Sequence, residues 1–250
     1  MRTRSRLLWV GTLFFTLALL SEQDGFALDQ PQSEPKPEER LPSLKLTPAK
    51  GIGFGAPPGA MIYNIGFGYA WMPYPSTVKN QIKPEGSKST PVVVDLAVLR
   101  TFYGHDNALG VSANYAVEFS SSSSVNIFDI TGASARTKAQ RLFTGLSFRQ
   151  ALGTHLLEGV NLRVDAGYGR YLLSSDLTPT SGDPVHLNLK NGGGPGLLLG
   201  LSYAFRLRPE SWLSTKSKDN YYMELLYQLS YVRMDPPVPG VNSLGLSFGF

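Results

Sequence analysis

The sequence predicts an all-β fold: a closed antiparallel barrel of eight transmembrane strands in an up-and-down meander. Three observations carry this. Between residues 60 and 250, stretches of roughly 10 to 14 residues alternate apolar with small or polar side chains, and a period of two is the mark of a β-strand. The apolar face holds aromatics near strand ends, whereas the other face is mostly Gly, Ala, Ser and Asn with a few charges. Beyond the N-terminal region no segment reaches the ~18 uninterrupted apolar residues of a transmembrane helix, but a barrel crosses with strands.

The first 27 residues read as a secretory signal. Arg2, Arg4 and Arg6 form a positive start, Leu7 to Leu20 an apolar core, and Gly25-Phe26-Ala27 a small-residue cleavage site. As a membrane anchor, that core would span only about 21 Å as a helix, short of the ~30 Å hydrocarbon layer. Residues 28–59 are expected to form a periplasmic linker. Pro31, Pro35, Pro37, Pro42 and Pro48 with balanced charges cannot bury a core. Gly51-Ile52-Gly53-Phe54-Gly55 lacks the preceding strand and following helix of a phosphate loop.

From Ala60 to Phe250 the barrel strands follow in order. The first, about 61–71, aligns Tyr63, Ile65, Phe67, Tyr69 and Trp71 on one face. The second, about 92–103, carries Asp95 among its inward set, and the third, about 108–119, carries Glu118. The fourth, about 140–150, turns Arg141 and Arg149 inward, and the fifth, about 159–172, does the same with Arg163 and Asp165. The sixth, about 197–207, has Arg206 and the seventh, about 221–232, has Glu224. The eighth closes the chain: Leu244, Leu246, Phe248 and Phe250 alternate with Ser243, Gly245, Ser247 and Gly249.

Connections at 72–91, 120–139 and 173–196 are expected to be long loops, and those at 104–107 and 151–158 short turns. This is the asymmetry of outer loops and periplasmic turns, although 208–220 is longer than a tight turn and 233–240 is short for an outer loop. Ser120–Ser124 reads as the base of a loop, and Asn191-Gly192-Gly193-Gly194-Pro195 as a loop ending. A soluble sandwich would expose a face rich in Lys, Glu and Thr. The small, sparse face found instead suits the crowded interior of a narrow barrel.

The closing stretch resembles the last strand of bacterial outer-membrane β-barrels. That resemblance implies that Leu244, Leu246, Phe248 and Phe250 are read by the barrel-assembly machinery. Residues 60–250 as a whole resemble small eight-stranded barrels of the OmpA-membrane-domain and OmpX type. The implied setting is the outer membrane of a Gram-negative cell envelope, with a monomer among lipid and lipopolysaccharide and with the linker and C-terminus in the periplasm.

Candidate sites are few. Asp95, Glu118, Arg141, Arg149, Arg163, Asp165, Arg206 and Glu224 are expected to form a charge network that plugs the lumen. Hairpin geometry sets Glu118 opposite Arg141 and Arg206 opposite Glu224, with Asp165 diagonal to Arg149. Arg100, Arg170 and Arg233 share the lipid-facing parity. They either snorkel at strand ends or, for Arg170 and Arg233, meet lipopolysaccharide phosphates. With no Cys and three separated His, no metal site and no cofactor are expected. His186 near Ser181 and Asp183 is the one catalytic arrangement on the outer side, and such residues are ordinary in a loop. Net charge is only +4 with no basic run, which argues against nucleic acid. The expected function is therefore non-enzymatic, structural or surface-interacting. The alternatives are a narrow, porin-like pore for small solutes and a lipid A- or phospholipid-modifying enzyme.

Overall fold

The computed structural model describes residues 45–48, 58–72, 74, 88–102, 106–127, 130–153, 157–208, 222–235, 237–238 and 240–249. The chain divides into two compact units, Met1–Leu41 and Pro42–Phe250, and every described residue lies in the second. The signal segment is outside the described residues, as is the linker apart from Lys45–Pro48 and Pro58-Gly59.

Among the described residues there are nine strands: β1 Lys45–Pro48, β2 Met61–Trp71, β3 Lys88–Phe102, β4 Asn107–Ile127, β5 Ile130–Ala151, β6 Val160–Thr178, β7 Val185–Arg208, β8 Tyr222–Val232 and β9 Val241–Gly249. Each of β2 to β8 pairs antiparallel with the next. The ring closes where β2 meets β9, from Asn64 opposite Gly249 to Trp71 opposite Asn242. The fold is thus a closed eight-stranded antiparallel meander. Closure removes the two open edges that a flat sheet would leave. Strand β1 adds outside the ring, pairing Lys45–Pro48 with Phe205–Arg208 where β7 runs past the start of β6.

At one end of the ring the connections from β3 to β4 and from β5 to β6 are short. There Gly159 has φ of 87°, in a turn closed by the Val160 N–H donating to the Leu157 carbonyl at 3.0 Å, and a side chain at that position would be strained. The other end is different from expectation. The expected long loops 120–139 and 173–196 are largely strand. The pairing of β4 with β5 continues to Ile127 opposite Ile130, with bulges after Ser122 and Val125, and β6 and β7 pair out to Leu177 opposite Val185. Ser120–Ser124 therefore lies within β4, and Asn191–Pro195 within β7. The reason is the persistence of period two. Ala133, Ala135, Thr137 and Ala139 are buried, while Ser134 and Arg136 are exposed, so pairing outweighs the weak strand propensity of small residues. Pro195 fits because its carbonyl points past the end of β8, where it accepts the Arg233 N–H at 2.9 Å. Pro195 thus lies one step beyond the last β7–β8 pair, Gly196 opposite Val232, where a missing N–H is tolerated.

Alternation sorts the side chains inside out. Met61, Tyr63, Ile65, Phe67, Tyr69 and Trp71 all project outward and are exposed, Tyr69 at 64%. Leu109, Val111, Leu142, Leu146, Leu162, Leu197 and Tyr231 continue that exposed apolar belt on other strands. The buried set includes Asn64, Asp95, Asn114, Arg163, Asp165 and Glu224, and these point into the ring.

Candidate functional site

The lumen is filled in layers. Toward the short-turn end, Ile62, Ala97, Leu99, Ala108, Ala204 and Tyr222 pack together. Tyr222 reaches across to donate to Asn64 Oδ1 at 2.9 Å. Its ring lies so close to Gly249 that a Cβ there would sit 2.0 Å from it, so a glycine in β9 is what lets this tyrosine cross.

The middle layer is charged. Asp95, Arg141, Arg149, Arg163, Asp165 and Glu224 are each at most 3% exposed. Glu118 is as deeply buried but lies apart from them, opposite Ala139 and beside Tyr74 and Tyr171 of the layer above. The Arg206 side chain lies outside the described residues. Arg163 grips Asp165 through Nε, at 3.0 and 2.8 Å, and through Nη2 at 2.6 Å, and it reaches Asp95 through Nη1 at 2.5 Å. Ser112 donates to Asp165 at 2.6 Å. Asn114 donates to Asp95 and to Gln228, both at 3.0 Å, while Gln228 donates to Asp95 at 3.2 Å. Ser243 donates to Gln228 at 3.2 Å, and Arg141 Nη2 donates to Asn114 Oδ1. A second group joins Arg149 to Glu224 at 3.2 Å, with Asn161 donating to the same carboxylate at 3.5 Å.

The pairings differ from those read off the hairpins. Glu118 faces Ala139, not Arg141, and Ala204, not Arg206, faces Glu224. Both registers are displaced by two residues from that expectation. Asp165 does sit diagonal to Arg149, since Arg149 faces Arg163 and Ser147 faces Asp165. Yet Asp165 is taken by Arg163 on its own strand. The decisive pairs run between strands that are not neighbours: β5 to β8 for Arg149–Glu224, and β6 to β3 for Arg163–Asp95. Local hairpin geometry cannot see such pairs. Arg149 and Arg163 lie directly opposite each other, an unfavourable placement for like charges. Their guanidinium groups engage different acids.

Sequence reasoning left out of the network the neutral residues that join it: Asn64, Ser112, Asn114, Asn161, Tyr222, Gln228 and Ser243. Their common signal is inward parity beside the charges. Each offers a donor or acceptor that a buried ion needs.

The third layer fills the end where β4–β5 and β6–β7 extend. Met72, Tyr74, Val93, Tyr171, Leu173, Leu177, Val238 and Val241 cluster with Ala133, Ala135 and Ala139. Burial pushes the Tyr74 hydroxyl up to about 12, so it stays protonated. Phe143, fully buried, packs with Leu198 and Val232.

Other candidates are scattered. His186 meets Asp176, not Asp183: Nδ1 lies 2.6 Å from Asp176 Oδ1, with both side chains about two-thirds exposed. The register that sets Asp176 opposite His186 decides this, because the expected loop is strand. His105 and His155 lie outside the described residues. Arg170 and Arg233 are exposed toward the long-hairpin end, with Arg170 donating to Asn191 at 3.3 Å. Arg100 donates to the Gly59 carbonyl at 3.3 Å at the opposite end. Leu246 and Phe248 are exposed on the outer face and Leu244 is half-buried, while Phe250 is outside the described residues. Among the described residues no group of acids and histidines could hold a metal ion.

No family model and no curated protein matches the chain. Solved structures do. The attachment invasion locus protein Ail of Yersinia pestis is 17% identical over 77% of this chain and 99% of its own, with a TM-score of 0.37. Neisserial surface protein A is 10% identical over 76% and 95%, with a TM-score of 0.32. The outer membrane protein OprG of Pseudomonas aeruginosa is 14% identical over 80% and 99%, with a TM-score of 0.33. These neighbours are small eight-stranded outer-membrane β-barrels, the class the sequence resembles. The barrel assignment itself rests on the closed hydrogen-bond ring.

Proposed function

We propose that this chain is a non-enzymatic outer-membrane barrel with a filled lumen, serving as a rigid support for contacts at the cell surface. The observation that carries this reading is the inversion of the molecule, with an apolar belt on the outside and ion pairs within. A continuous apolar belt is unfavourable in water. In hydrocarbon it is favourable, because a closed ring leaves no unpaired strand edge. The long hairpins then face the exterior, and the short turns and both termini face the periplasm. Arg170 and Arg233 lie at the outer rim, where they suit lipopolysaccharide phosphates. Leu244, Leu246, Phe248 and Phe250 suit recognition by the assembly machinery, and the barrel works as a monomer.

Three stacked layers of buried side chains support a barrel without a channel, as eight strands leave little free bore. Planar-bilayer recording tests this. The intact protein should give no stable single-channel current, and steady currents would replace the plugged barrel with a narrow pore. Membrane fractionation tests the location: the protein should travel with outer-membrane markers, and a soluble folded protein would end the reading.

A further inference from the structure

The walls of the barrel end unevenly. At the short-turn end β7 runs on past the first residue of β6, Val160, which faces Tyr203. The next bond on that side is the Ala204 N–H donating to the Gly159 carbonyl at 2.8 Å. From Phe205 onward β6 offers β7 no partner, and β1 takes its place: Pro48 stands opposite Phe205, Thr47 opposite Arg206, Leu46 opposite Leu207 and Lys45 opposite Arg208. On its other side β7 is held by β8 as far as Arg206 opposite Tyr222. Tyr222 is itself fixed by its hydrogen bond to Asn64 and its close approach to Gly249. This stretch of β7 is therefore a preformed template, and such an edge adds an extended chain through its backbone.

The strand that covers the edge suits only half of it. Alternation sets Leu46 and Pro48 across from Leu207 and Phe205, apolar residues against apolar residues on one face. On the other face Thr47 and Lys45 stand across from Arg206 and Arg208. Lys45 opposite Arg208 puts two cationic residues in one rung, and like charges directly opposite are destabilising. Pro48 brings no N–H to the ladder. Four rungs of this kind belong to the low end of the stabilities within a fold, where a segment opens locally while the rest stays closed.

We propose that the β7 edge from Phe205 to Arg208 is a docking site for an extended protein segment that alternates acidic with apolar residues, and that β1 is its weak resident occupant. Such a segment keeps the backbone pairing and the apolar rungs with Phe205 and Leu207. It sets acids across from Arg206 and Arg208, where β1 brings Thr47 and Lys45. In the orientation proposed above this end faces the periplasm, so the partner is a protein exposed there. The pairing itself does not depend on that orientation, and binding in detergent tests the edge alone.

The probe is a short fluorescent peptide alternating Glu and Leu, titrated against the refolded full chain. One control alternates Lys and Leu, with the same apolar content and the opposite charge. A second is the acidic peptide N-methylated throughout, which keeps the charge and removes the ladder donors. The acidic peptide should bind, and neither control should. Leu46→Pro breaks the pairing of β1 and lies outside the ring, so barrel closure does not rest on it; it should tighten the acidic peptide several-fold. Lys45→Glu gives β1 the favoured charge opposite Arg208 and should weaken the peptide several-fold. Absence of binding to both the unaltered chain and Leu46→Pro would overturn the site. So would equal binding of the acidic and lysine peptides, binding that survives N-methylation, or an affinity that neither β1 variant moves.

Discussion

Two levels of one lumen are closed by opposite chemistry. At mid-height, Asp95, Asn114, Arg163, Asp165 and Gln228 tie β3, β4, β6 and β8 together through charge-assisted hydrogen bonds. At the long-hairpin end, Tyr171, Leu173 and Leu177 of β6 pack against the alanines of β5 and against Met72, Tyr74 and Val238 from the connections. The charged level joins strands far apart around the ring, so it can form only once the ring closes. The apolar level draws largely on strands already paired in a hairpin. The first should behave as one coupled unit, and the second should loosen locally without opening the barrel.

The sharpest way to break this contrast is Asp95→Ala. Asp95 accepts from Arg163, Asn114 and Gln228 at once. Removing it leaves buried donors unanswered, and we expect a loss of about 3–5 kcal/mol in urea unfolding of the refolded barrel. Combined with Arg163→Met, the total should fall well short of the sum of the single effects, because both changes strike one network. A loss below about 1 kcal/mol would mean that water enters this layer and solvates its charges.

The same contrast explains what the sequence could reveal. Alternation in β2, β6, β8 and β9 placed strand type and inward face directly, because side-chain parity is a local property. It also singled out Asp95, Arg163 and Glu224, since a charge on the small-residue face has nowhere to point but inward. It did not place their partners. Arg149–Glu224 and Arg163–Asp95 join strands three apart around the ring, and only closure brings them together. The extension of β4 to β7 was missed for a different reason. Ser120–Ser124 and Asn191–Pro195 carry loop-like compositions, and cross-strand pairing overrides that preference.

The apolar level should respond in proportion to size. Leu173→Ala, at a fully buried position, should cost about 2–3 kcal/mol. Its signature should be regional: hydrogen exchange should quicken in the extended parts of β5 and β6 while mid-barrel amides stay protected. Its effect should add to that of Asp95→Ala. Strong non-additivity would merge the two levels into one.

A smaller effect is expected from replacing a charged pair outright. Glu224→Ala alone leaves Arg149 buried without its acid and should be clearly destabilising. Arg149→Met with Glu224→Leu removes both ions and keeps the volume. That double variant should fall within about 1 kcal/mol of the parent, or above it, since such replacement is often neutral or stabilising. If it were as unstable as Glu224→Ala, the pair would contribute more than mutual neutralisation.

The smallest effect should come from the most visible ion pair at the long-hairpin end. Asp176 and His186 approach to 2.6 Å, but their side chains are 65% and 63% exposed. Water competes for both groups, and holding the pair costs side-chain freedom. His186→Gln should therefore change stability by less than about 0.5 kcal/mol. The neighbouring position supplies the control. Leu177 faces Val185 one step along the same two strands, but its side chain turns inward and is fully buried. Leu177→Ala should cost several times more than His186→Gln, although neither residue is near the charged layer. Should the two changes cost the same, the outward face at this end would be as ordered as the inward one, and parity would no longer say where stability resides.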